Sequence, residues 1–71
     1  MVGYFPFREE LYSEELGRYV SYGIRVVRHG RVVLQISDVS TAAACVISLC
    51  RRCTKGQLDP MHLRDVLEDV L

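Results

Sequence analysis

Between Arg18 and Val39 the apolar residues return at every second position. Val20, Tyr22, Ile24 and Val26 fall on one face, and Ser21, Gly23, Arg25 and Val27 on the other. A second arm repeats the pattern, with Val32, Leu34 and Ile36 against Arg31, Val33, Gln35 and Ser37. Period two is the signature of a half-buried strand. A slip of one residue would turn every side chain to the opposite face, so this pattern constrains the fold more than any other feature. It predicts a β-hairpin with strands at 18–27 and 31–39. A two-residue loop at His29-Gly30 would set Val27 against Val32 and Arg25 against Leu34, mixing the faces. A three-residue loop, Arg28-His29-Gly30, sets Val26 by Val32, Ile24 by Leu34 and Tyr22 by Ile36. The pattern therefore favours the three-residue loop, with Gly30 in its left-handed position.

A third strand is expected at 5–13, joined by Glu14-Glu15-Leu16-Gly17. A four-residue loop there places Leu11 opposite Val20, Phe7 opposite Ile24 and Phe5 opposite Val26. Two helices follow. Asp38, Ser40 and Thr41 offer N-cap side chains, and Ala42 to Thr54 lacks Gly and Pro, which predicts a helix over 41–55. Gly56 is suited to the position after it. Asp59-Pro60 is a cap followed by proline at the first helical position. The stripe Leu63, Val66, Leu67, Val70 and Leu71 extends a second helix over 60–70. The expected fold is a two-layer α+β domain of order β-β-β-α-α, a three-stranded antiparallel meander covered on one face by both helices. A chain of 71 residues, 49% apolar and 25% charged, fits one such domain and no second.

The N-terminus has neither the basic start nor the apolar stretch of a secretory signal. The apolar run around Ala42 to Ile47 is far short of the roughly 20 residues that cross a bilayer. Three cysteines do not close a disulfide framework. The expected compartment is the cytoplasm, with reduced thiols and no membrane partner.

Tyr19-Val20-Ser21-Tyr22-Gly23-Ile24, Asp38-Val39-Ser40-Thr41 and the end, Gln57-Leu58-Asp59-Pro60-Met61-His62-Leu63-Arg64-Asp65-Val66-Leu67-Glu68-Asp69, resemble a family of small uncharacterised bacterial proteins, a domain of unknown function. The resemblance covers roughly residues 12–71. It implies a small cytoplasmic bacterial protein and carries over no catalytic residue. Cys53 falls where members of that family tend to carry a Cys. The chain departs from it at Ala42 to Cys50, where a charged, mixed helix is usual.

Few residues form a pattern that carries chemistry. Cys45, Cys50 and Cys53 have the C-x4-C-x2-C spacing of some iron–sulfur proteins but lack a fourth Cys. On a helix, at about 100° per residue, the three thiols also diverge. The spacing leaves a zinc site at Cys50, Cys53 and His62 as a weaker reading, against which stands that of small buried apolar residues. His62 and Asp65 stand three apart on a helix, which fits an acid/base pair less well than a first-turn His on a polar face. No catalytic residue and no cofactor is expected.

Charge divides by segment. One Arg stands against four Glu in residues 1–17, seven Lys and Arg against one Asp in 18–55, and one Arg against four acids in 56–71. Arg25, Arg28, Arg31, Arg52 and Lys55 are therefore candidates for a nucleic-acid-binding surface on the hairpin and helix end. The expected open sheet face lacks stacking aromatics, which counts against that reading. The first helix is more telling. Val46, Leu49, Cys50 and Cys53, with Ala42, suffice to pack it on a sheet. Ala43, Ala44 and Ile47 then remain around its circumference, where a surface helix should be polar. They make a candidate protein-contact face with Arg51 as a rim charge, for a protein partner or a homodimer. The leading expectation is a small non-enzymatic interaction or regulatory module.

Overall fold

A computed structural model describes residues 1–70. Three strands, β1 (Val2–Ser13), β2 (Gly17–Arg28) and β3 (Arg31–Ser40), form an antiparallel meander in the order β1-β2-β3. Helix α1 (Ala43–Lys55) follows, then a 3-10 turn (Pro60–His62) that runs into α2 (Leu63–Val70). The helices pack on one face of the open sheet, as the sequence predicts. Leu71, the last member of the apolar stripe, lies outside the described residues. The core joins both layers: Val2, Tyr4, Ile24 and Val26 from the sheet, Val46, Leu49, Cys50 and Cys53 from α1, and Leu63 from α2.

Both hairpin registers differ from the expectation. The His29-Gly30 turn has only two residues, both with positive φ (52° and 73°), and Arg28 pairs with Arg31. Positive φ at both central positions gives a turn whose twist matches that of the strands. The mixing of faces that argued against this loop is undone one step later. Val27 pairs with Val32 but Val26 with Leu34, so Val33 is an extra residue in β3. Past this bulge Leu34 and Ile36 return to the helix face opposite Val26 and Ile24.

In the first hairpin β1 begins at Val2 rather than Phe5, and Ser13 pairs with Gly17 around Glu14-Glu15-Leu16. Ser13 closes this loop by accepting the Leu16 N–H at 2.9 Å. Pro6, not Phe7, faces Ile24, and Tyr4, not Phe5, faces Val26. Val2 and Tyr4 therefore enter the core, while Phe5, Phe7 and Leu11 turn to the open face. Tertiary contacts select this register. The Tyr4 hydroxyl donates to the Leu58 carbonyl at 2.5 Å. Thr54 Oγ1 accepts the Tyr4 N–H at 2.9 Å, and the Gln57 side chain accepts from Val2 N and donates to Val2 O.

The helix ends also differ. Ala42 occupies the N-cap position of α1 without a side-chain bond, and Ser40 Oγ accepts the Ala42 N–H from outside the helix. Asp38 is engaged instead by the Ser21 and Tyr19 hydroxyls. Gly56 keeps right-handed helical φ/ψ, and Gln57 takes the left-handed position (φ 49°). Leu58 N–H then reaches the Cys53 carbonyl and Gln57 N–H the Thr54 carbonyl, closing the helix with a Schellman motif. Asp59 caps the next turn as expected, accepting from Met61 N.

Candidate interaction surface

Helix α1 lies across the Val2–Pro6 end of β1. Its inner face buries Val46, Leu49, Cys50 and Cys53, and α2 with Leu58 flanks the Leu49–Cys53 side. The remaining side looks over the free edge of β1. There Ile47, Arg51 and Lys55 meet Tyr4, Phe5 and Pro6 around an open groove of about 410 Å³. Ile47 keeps 40% of its surface exposed and Phe5 52%. Of the other expected contact residues, Ala44 is exposed and Ala43 half-buried, one turn before the groove rather than in it. The face is apolar at its centre and basic at its rim, which is the anatomy of a protein contact.

The five basic candidates do not form one patch; only Arg28 and Arg31 stand side by side. Arg25 belongs to the open sheet face, where its guanidinium lies 4.9 Å from the Phe7 ring centroid and its Nε donates to Gln35 at 3.1 Å. Arg28 is paired with the buried Val2, so it points to the helix side, beside Asp59, Pro60 and Arg64. Arg31 pairs with Arg28 in the turn. Arg52 borders the groove between the helices and Lys55 the one along β1. The expectation of a non-aromatic open face is also corrected: the register of β1 sends Phe5 and Phe7 there. Gly23 makes room for Phe7, since a Cβ at that position would lie 2.6 Å from its ring.

Cys50 and Cys53 are core residues. Burial pushes the Cys50 thiol up to about 11 and raises that of Cys53, so both are protonated at neutral pH and are poor ligands or nucleophiles. His62 is exposed, 4.0 Å from Asp65. Among the described residues no three His, Cys, Asp or Glu side chains gather to hold a metal. The zinc reading is not assembled by the fold.

One polar cluster escaped the sequence reading. Asp38, read as a helix cap, sits in β3 with φ 53°, at a second irregularity of the β2–β3 ladder between the Ile24–Ile36 and Tyr22–Ser40 pairs. Its carboxylate accepts from the fully buried Ser21 hydroxyl at 2.5 Å and the Tyr19 hydroxyl at 2.9 Å. Glu9 reaches over from β1 to accept from Ser37 Oγ and Asp38 N. The bonds from Ser21 and Tyr19 hold the Asp38 carboxyl below the usual aspartate range. A lowered folded value means that the native state binds fewer protons, so the contribution is complete above the ordinary aspartate value and is lost as pH falls through the lowered one. Asn tolerates the left-handed backbone and carries no charge. Asp38→Asn is therefore expected to flatten the acid limb of stability, read as the urea midpoint between about pH 5 and pH 2. An unchanged pH dependence would mean that the cluster does not couple to folding.

Three strands with a left-handed Asp bulge, two helices on one face and an apolar, basic-rimmed groove at an edge define a small two-layer α+β domain, described for residues 1–70. Among them no helix is long and apolar enough to cross a membrane. The chain belongs to the family of unknown function DUF6514, whose model matches residues 3–71. No curated protein and no solved structure matches it.

Proposed function

We propose that this protein is a non-enzymatic interaction module of the cytoplasm, which works by docking another protein surface against the exposed side of α1. The observation that carries the reading is Ile47. It lies in the middle of a helix that already buries a full inner face, and it remains 40% exposed beside Phe5 and Pro6. A domain this small gains stability from covering such a patch. Ala44 extends the surface by a turn, Ala43 supports it, and Arg51 supplies charge at its border. Only Arg28 and Arg31 are neighbours, and Arg25, Arg52 and Lys55 lie on other surfaces, which favours this reading over nucleic-acid binding along a continuous basic track.

A photo-crosslinking amino acid placed at position 47, in the cells that make the protein, is expected to give one covalent adduct of defined mass. The same group at Glu68, on exposed α2, should not give it, and Arg51→Glu should abolish it. No adduct specific to position 47 would defeat the reading.

A further inference from the structure

Strand β1 is an edge strand, and its free side is only partly closed. The N–H groups of Val2 and Tyr4 point away from β2, to Gln57 and Thr54 of the helix end. The β1–β2 ladder runs without a bulge, so the next outward-facing positions are Pro6, Arg8, Glu10 and Tyr12. Pro6 has no N–H to offer. Arg8, Glu10 and Tyr12 present unpaired donors and acceptors on an exposed strand. Along this stretch Arg8, Glu10 and Tyr12 are all exposed, and Tyr12 and Leu16 keep 73% and 70% of their surface open.

We propose that the occupant of the α1 face is a second copy of this chain, joined edge to edge through β1 in antiparallel fashion about a two-fold axis at Glu9. The proposal rests on the reading of α1 as a protein-contact surface and names its partner. Only registers that oppose outward-facing residues can form a ladder. An axis at Arg8 or at Glu10 would set Arg against Arg or Glu against Glu, and like charges directly opposed destabilise a pair. An axis at Phe7 would set Glu10, inside β1, against Tyr4, whose N–H already bonds Thr54. With the axis at Glu9 it is Glu14, beyond the end of β1, that reaches Tyr4, so the ladder asks no bond of that N–H. The axis at Glu9 sets Arg8 opposite the partner's Glu10 and Glu10 opposite the partner's Arg8. Glu9 also meets the partner's Glu9 on the open face, but each of those carboxylates is turned away from the seam, across β2, to Ser37 Oγ and Asp38 N. Charges on an edge ordinarily discourage pairing. An Arg and a Glu two residues apart do the reverse for a two-fold copy, because each meets its opposite. In the single chain they bond only each other, at 3.3 Å and both exposed.

The same register places the rest of the surface. Tyr12 falls opposite the partner's Pro6, on the helix side, where the groove containing Ile47 and Arg51 opens. The acidic loop beginning at Glu14 falls opposite the partner's Tyr4, beside Arg51 and Lys55. Each copy thus brings its uncovered hairpin end alongside the other's α1. The segment with four Glu meets the basic end of the helix, which is the complementarity the segmental charges of this chain allow.

The test is charge exchange, read by light scattering after size exclusion. Wild type is expected at twice 8.1 kDa. Arg8→Glu and Glu10→Arg each turn both cross-pairs into like-charge pairs, and each should weaken the dimer at least about tenfold and run as a monomer. Mixing the two variants makes every cross-pair complementary again, so the mixture should regain the dimer, as should the double variant. Both residues are exposed, so the fold is expected to survive. A monomeric wild type at millimolar concentration, single variants that stay dimeric, or a mixture that stays monomeric would each overturn the seam. A position-47 adduct to a different protein, with a monomeric pure chain, would retire the seam and leave the α1 reading standing.

Discussion

Leu63→Ala is expected to remove most of the protein's stability. Leu63 is the first residue of α2 and is completely buried, in contact with the core that α1 and the sheet share. Of the α2 residues it alone is fully buried; Val66 and Leu67 are half-buried and Val70 is exposed. It is therefore the anchor that holds a helix of eight residues, far too short to persist by its own propensity. Truncating a buried Leu costs about 2–5 kcal/mol. A domain of this size has roughly 3–5 kcal/mol from a single core. The expected result is a urea midpoint near zero and loss of α2 amide protection. A drop under about 1 kcal/mol would show that α2 is dispensable to the core.

Gly23→Ala tests the open face. By strand propensity alone, Ala should gain about 0.5–1 kcal/mol over Gly. Here the added Cβ would run into the Ile36 backbone oxygen and lie 2.6 Å from Phe7 Cζ. The ring can swing away, at the loss of its stacking with Arg25. The carbonyl cannot move without opening the β2–β3 ladder beside the Ile24–Ile36 pair. Overpacking of this kind costs about 1–3 kcal/mol and outweighs the propensity gain. Thermal unfolding should show a lowered midpoint; a raised one would mean that Phe7 does not lie over Gly23.

The same glycine shows where sequence reasoning ran short. Alternation in residues 20–36 located both strands of the second hairpin, and Asp59-Pro60 located the start of the last helical segment. Neither signal contains a register. The two-residue turn looked wrong because it mixed the faces, and the bulge at Val33 that corrects it has no composition cue in a run of Val. Phe5 and Phe7 looked like core because large aromatics are the usual core residues. They were displaced by Tyr4, whose ring is buried and whose hydroxyl finds a carbonyl on the loop after α1. Asp38 looked like a helix cap because a left-handed Asp inside a strand is stabilised only by side chains distant in sequence, Ser21, Tyr19 and Glu9. Ile47, by contrast, was legible: a helix with more apolar residues than one sheet can cover leaves some outside.

Element order, the α+β class, the excess of apolar surface on α1 and the division of charge by segment follow from local sequence alone, because strand and helix periodicities and caps are encoded within a few residues. Strand register, the open-face aromatics, the Asp38 cluster and the dispersal of the arginines were decided only by tertiary structure. Each depends on which groups lying some 10 to 55 residues apart can satisfy one another once the helices close over one face of the sheet.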